Sequence, residues 1–180
     1  RIMRRVVQAG LLVIILCALG CVAPSLPSGG ASVQNIDSVP DGYVSVDFIQ
    51  LAAFKYIVPD GALTEPTAQA VMAANRIPDE ITALDGKQVA VEGFMLPLRV
   101  EAGRITEFLV LRDQSLCCYG AVPKINEFIF MRTPAGQGIS AAMDRKITFL
   151  GRLRVGEVIE NDYLVGIYEM DAEPRFVERK

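Results

Sequence analysis

The stretch KQVAVEGFMLPLRVEAGRITEFLVLR, residues 87–112, decides the fold class. Apolar and polar side chains alternate through its first half, which is typical of a strand with one buried face. The turn at residues 101–103 interrupts this pattern, and a second strand pattern follows from Arg104. The stretch therefore predicts two consecutive strands of a β-structure.

Three more strand patterns follow, and no long helical pattern separates them. Glycines at positions 93, 151 and 166 fall inside the strand patterns, where β-bulges and tight barrel bends favour them. Five short strands in a row predict a mainly β protein with a small antiparallel barrel of the oligonucleotide/oligosaccharide-binding (OB) type. The three further patterns are INEFIFMR (125–132), RKITFLGRLRVGEV (145–158) and YLVGIYEMDA (163–172).

The chain before the barrel divides into segments of different composition. Residues 43–86 predict an extended segment and short helices packed on the barrel, one of them at 64–76 with Thr64 as its cap. The barrel is expected at 87–172, and residues 173–180 are expected to form a C-terminal tail. Residues 136–141, GQGISA, resemble a dinucleotide-binding fingerprint, but too few residues follow for its crossover helix, so we predict a loop.

The N-terminal region predicts export. Residues 1–20 combine three arginines, an uncharged apolar run and small residues, which is the pattern of a signal peptide. A retained membrane anchor is the alternative, although the run of residues 6–20 is short for a span of ~30 Å of hydrocarbon. Residues 18–21, ALGC, resemble a lipoprotein processing box, so we expect a lipid on Cys21. Residues 21–42 then form a flexible tether rich in Pro, Ser and Gly.

Charge argues against nucleic acid as a partner. The whole chain has a net charge of −3, and removal of residues 1–20 takes away three arginines and no acid, which leaves −6. An acidic exported protein lacks the basic surface that nucleic-acid binding requires. The aromatic side chains of the strands are therefore expected to pack in the core.

Much of the chain resembles a bacterial family catalogued as domain of unknown function thirty-two ninety-nine. The resemblance spans residues 43–171 and is carried by IPDEITALDGKQVAVEGFMLPL, TEFLVLRDQSLCCYG, ITFLGRLRVGE and LVGIYEMDA. Its members look like secreted or lipoprotein-type envelope proteins, so the resemblance implies an envelope location. Many members carry a cysteine followed by histidine where this chain has CCYGAVPKINEF; this chain has no histidine and departs from that pattern.

Cys117 and Cys118 are the candidate chemical site. As neighbours their Cα atoms lie ~3.8 Å apart, below the usual disulfide range of ~4.4–6.8 Å, so a bridge between them would be strained and reducible. Two thiolates could hold Cu or Zn with additional ligands, and methionines 95, 131, 143 and 170 are better explained as core residues. We favour a structural role for the pair, with metal or redox chemistry as the alternative.

The remaining residues do not assemble a catalytic set. Without histidine, Ser-His and Cys-His pairs are impossible. Glu92 and Glu107 lie in strand patterns and are expected on the exterior, while Asp79, Glu80 and Asp85 have helix-capping and turn explanations. The sequence thus favours a non-enzymatic envelope lipoprotein that faces the periplasm and needs no cofactor. It would be held at the membrane by the lipid on Cys21 and would bind or assemble with an envelope protein.

Overall fold

The computed structural model describes the backbone of residues 34–35, 39–115 and 122–178, and the side chains of residues 39–115 and 122–173. Within these residues the protein is mainly β with few, short helices, which confirms the predicted class. The elements are β1 (Gln34–Asn35), β2 (Val44–Val46), α1 (Phe48–Leu51), α2 (Pro66–Ala74), α3 (Asp79–Thr82), β3 (Gln88–Glu101), β4 (Arg104–Leu111), β5 (Phe128–Arg132), β6 (Ile147–Glu160) and β7 (Tyr163–Glu178).

The strands β3 to β7 correspond to the five strand patterns of the sequence. β3 pairs with β4 and with β6, β4 pairs with β5, and β7 pairs with both β5 and β6. Each of the five strands therefore has two neighbours among the other four. The short strands β1 and β2 add parallel pairs to β7 and β3.

One pairing differs from the expected antiparallel arrangement, because β5 and β7 run parallel. The direction of each strand follows from its other neighbours: β4 and β6 both run opposite to β3, and β5 and β7 then run opposite to β4 and β6. β7 also continues to Glu178, beyond residue 172, where we expected the barrel to end.

Two tight turns join neighbouring strands. Ala102 and Gly103 connect β3 to β4, and Asn161 and Asp162 connect β6 to β7; all four residues have positive φ. Two-residue turns of this kind match the right-handed twist of paired strands, and Asn, Asp and Gly adopt positive φ most readily. The structure thus places a hairpin at the predicted turn of residues 101–103.

Alternation along the strands builds one main core. Side chains from both the strands and the N-terminal region are buried in it, including Phe48, Leu51 and Ile81 of the helices. The hydroxyl of Tyr168 donates to the carbonyl oxygen of Leu51 at 2.9 Å, which ties α1 to β7. Burial also raises the pKa of this hydroxyl, because the phenolate would lose its water.

Three details of the expected local structure are wrong. Tyr163 was expected in the core with the other aromatic side chains of the strands, but 53% of its surface is exposed at the start of β7. The helix begins at Pro66 with Glu65 in the capping position, not at a Thr64 cap, since proline is preorganised for the first helical turn. Met143 was expected in the core with the other three methionines, but 55% of its surface is exposed. It lies in the irregular segment between β5 and β6, where no strand pattern directs its side chain inward.

Glycine is required where two strands approach most closely. A Cβ atom on Gly151 would lie 2.3 Å from the carbonyl oxygen of Asp171, and one on Gly93 would lie 2.4 Å from a methyl group of Val110. At Gly166 the nearest atoms are 3.8 Å away, which is ordinary contact. Close backbone approach therefore explains the first two strand glycines but not the third.

Candidate functional site

A row of charged side chains crosses the outside of five strands, and we call it the charge row. Strand register produces it: Glu107 lies opposite Arg99 on one side and Arg132 on the other, and Arg154 lies opposite Glu169. Because the sign alternates from strand to strand, each cross-strand pair is attractive. The charge row consists of Arg99, Glu107, Arg132, Glu169, Arg154 and Asp171.

Arg132 occupies the centre of the charge row. Its guanidinium lies 3.7 Å from Glu107 and 2.8 Å from Glu160, and it also forms an ion pair with Glu169. It stacks over the ring of Phe130 at 4.4 Å from the centroid, a cation–π arrangement. Arg132 thereby holds β4, β5, β6 and β7 together from outside.

The flanking arginines complete the charge row. Arg99 lies 3.4 Å from Glu107 and 3.9 Å from Glu101, at the far end of β3. Arg154 lies 3.3 Å from Glu169 and 2.8 Å from Asp171. Each of the three arginines thus has at least two carboxylates within 4 Å.

Exposed apolar side chains flank the charge row at two hairpins. Leu98 and Val100 lie on either side of Arg99 in the first hairpin, and Ile159 and Tyr163 lie close to Glu160 in the second. At least half of each of these four side chains is exposed. A surface that combines exposed apolar groups with oriented charges is typical of a binding surface.

A cleft of about 470 Å³ adjoins the charge row on β6, where the pairing with β7 shifts register after Val155. Asp85, which the sequence assigned to a turn, accepts the backbone N–H of Val155 at 2.9 Å there. Arg152 donates to the carbonyl oxygen of Gly86 at 3.1 Å. These bonds tie the end of the N-terminal region to β6.

The residues predicted to carry chemistry cannot be located in relation to the charge row. Cys21, Cys117 and Cys118 are all outside the described residues, so their predicted roles stay predictions. Further along the chain, the buried Glu127 accepts the backbone N–H of Lys124 and forms an ion pair of 3.0 Å with Arg112. In the described part of the chain, no three of the His, Cys, Asp and Glu side chains are grouped to hold a metal ion.

Other predictions can be located directly. Glu92 pairs with Lys146 at 3.2 Å on the outside of β3, as expected for an exterior carboxylate. Glu107 was assigned to the exterior by its strand position, but its place in the charge row was missed. The register that aligns it with Arg99 and Arg132 cannot be read from any one strand pattern. Among the described helices, none is long and apolar enough to cross a membrane.

The chain belongs to a family of proteins of unknown function, DUF3299, whose model matches residues 52–175. It is similar to the crystal structure of a DUF3299 family protein from Pseudomonas aeruginosa PAO1, with 21% sequence identity and a TM-score of 0.49. The match covers 73% of this chain and 93% of the other. No curated protein matches. The resemblance recognised in the sequence is thus confirmed at the level of the family.

Proposed function

We propose that this protein is a non-enzymatic module of the cell envelope that binds or assembles with another envelope protein. The observation that carries the proposal is the charge row with exposed apolar side chains at both hairpins. Apolar contacts supply affinity in protein interfaces, while arrays of charge fix orientation and select partners. The acidic mature charge argues for a protein rather than a nucleic acid as the partner.

The proposed architecture is an OB-like barrel formed by β3 to β7. Support comes from the pairing scheme, in which each of the five strands has two neighbours and only β5 and β7 run parallel. OB domains bind their ligands on the face of the second and third strands, between the loops of the first and last hairpins. The charge row and the four apolar side chains occupy the corresponding positions on β4, β5 and the two hairpins.

The proposed location is the periplasmic side of a bacterial membrane. The N-terminal signal pattern and the processing box at residues 18–21 support a lipid on Cys21. Replacement of Cys21 by Ser should move the protein from the membrane fraction to the soluble fraction of the periplasm. Unchanged membrane association of this variant would contradict the lipid anchor and favour the retained apolar segment.

The binding surface is tested by photo-crosslinking in intact cells. A photoreactive phenylalanine analogue is placed at Val100 or Tyr163, and as a control at Ile49, which is 78% exposed on α1. We expect one shared adduct with a distinct envelope protein from the two hairpin positions and none from Ile49. Equal adducts from all three positions, or none from either hairpin, would contradict the proposed binding surface.

A further inference from the structure

The charges on the proposed binding surface do not cancel. The charge row and the two hairpins carry four arginines and six carboxylates, an excess of two negative charges. The three arginines of the charge row already lie within 4 Å of carboxylates of the same chain, so their positive charge is neutralised internally. The fourth, Arg104, lies opposite Glu101 in the first hairpin and donates to the carbonyl oxygen of Gly138. The carboxylates are Glu101, Glu107, Glu160, Asp162, Glu169 and Asp171.

The excess charge lies where a partner would meet it. Glu169 and Glu107 are the covered carboxylates, with 14% and 23% of their side chains exposed. The exposed fractions are 61% for Glu101, 58% for Asp171 and 46% for Glu160. Glu101 and Glu160 are the last residues of β3 and β6, so these two carboxylates stand at the hairpins, and Glu160 lies directly opposite the exposed Tyr163.

We infer that the partner presents a basic and apolar segment to this surface, with Lys or Arg side chains interspersed with aliphatic or aromatic ones. The inference rests on the proposed function and specifies the chemistry of its partner. Cations of the partner would meet Glu101, Glu160 and Asp171, and its apolar side chains would cover those of the hairpins. Complementary charge also increases the rate at which two proteins associate and disfavours binding of wrong partners.

A second copy of this chain is a poor occupant of the surface. Two identical surfaces would each bring an excess of two negative charges, and like charges brought together across an interface are repulsive. The surface therefore favours a different chain of opposite charge.

The test compares binding of two fluorescent peptides to the full-length protein in detergent. One peptide alternates lysine with leucine, and the other alternates glutamate with leucine. The surface variant combines Glu101→Lys and Glu160→Lys. The control variant combines Asp41→Lys and Glu80→Lys, which changes the net charge equally at exposed residues outside the charge row and both hairpins. Thermal unfolding of each variant checks that the fold is retained.

We expect the lysine–leucine peptide to bind the unaltered protein and the control variant similarly at low ionic strength. The surface variant should bind it about tenfold more weakly, and added salt should reduce this difference, because exposed charges are screened. Equal weakening in both variants would overturn the inference by showing a general charge effect. Tighter binding of the glutamate–leucine peptide would overturn it by reversing the polarity.

The two proposals fail separately. If photo-crosslinking from Val100 and Tyr163 captures one envelope protein but the peptide test fails, the surface is a binding surface with a partner of other chemistry. If the peptide test succeeds without any adduct from the hairpin positions, the surface selects basic apolar peptides but its role in envelope assembly is wrong.

Discussion

Two rows of side chains cross strands β4, β5, β6 and β7. On each of these strands, the residue in one row is next in sequence to a residue in the other row. The inner row consists of Phe108, Met131, Met170 and Leu153, and none of these side chains has exposed surface. The charge row lies beside it on the opposite face, since successive side chains of a strand point in opposite directions. The same strand register therefore aligns the buried apolar side chains on the inner face and the charged side chains on the solvent-exposed face.

The comparison teaches which row stabilises the fold and which is available for function. Burial of a large apolar side chain contributes about 1.5–3 kcal/mol, whereas an exposed ion pair contributes about 0–1 kcal/mol. The inner row should therefore dominate the free energy of unfolding. The charge row can change its composition at little cost to the fold, which leaves it free to specify a partner.

The largest effect is expected from Phe108→Ala in the inner row. Phe108 also packs on Phe149, with ring centroids 5.4 Å apart, so truncation would leave a cavity between two strands. We expect the free energy of unfolding, measured by urea denaturation, to fall by about 3–5 kcal/mol. Leu109→Ala, at the half-buried neighbour on the outer face, is the control and should cost clearly less. Equal losses would mean that the inner row is not the core.

A slightly smaller effect is expected from Gly151→Ala, which tests how closely β6 approaches β7. The added methyl group would lie 2.3 Å from the carbonyl oxygen of Asp171, so one strand must shift. We expect a loss of about 1–3 kcal/mol in urea denaturation. Gly166→Ala is the matched control, because its nearest atoms are 3.8 Å away, and it should cost less than about 1 kcal/mol. A neutral Gly151→Ala would refute the close approach.

The charge row should respond more weakly and in a salt-dependent way. Arg132→Met keeps an apolar stem over Phe130 but removes the cation between Glu107, Glu160 and Glu169. We expect a loss of about 1–2 kcal/mol at low ionic strength, shrinking as salt screens the remaining carboxylates. The exposed Arg99→Met should cost less than about 0.5 kcal/mol. If the two substitutions cost the same, Arg132 is not the centre of the row.

The difference between the rows also explains how much the sequence could predict. The inner row follows from local alternation: Phe108 and Met131 each occupy the buried phase of a strand pattern, and this was enough to predict five strands and a mainly β fold. The charge row depends on how separate strands are aligned. A bulge at Leu98 sets Arg99 against Glu107, and the pairing of β4 with β5 sets Glu107 against Arg132.

Alternation within one strand contains no information on either alignment, so the charge row was beyond prediction from the residues alone. The cysteine pair illustrates the opposite case. Two adjacent cysteines are conspicuous in the sequence, yet chemistry at Cys117 and Cys118 depends on groups that approach from other segments. The local pattern that made them candidates could not supply that context.

The smallest effect concerns a carboxylate outside both rows. The hydroxyl of Ser115 donates to Asp113, and with the backbone N–H of Ser115 and the nearby Arg112 it holds the pKa of that carboxyl below its ordinary value. A folded-state pKa below the unfolded value stabilises the fold above the unfolded pKa, and this contribution is lost as pH falls through the folded pKa. In Ser115→Ala the pKa of Asp113, followed by carbon NMR of its carboxyl group, should rise towards the ordinary value while stability at neutral pH barely changes. Ser140→Ala, at an exposed serine elsewhere, should leave the Asp113 titration unchanged. An unchanged titration in Ser115→Ala would assign the shift to the backbone N–H of residue 115 and to Arg112 instead of the hydroxyl.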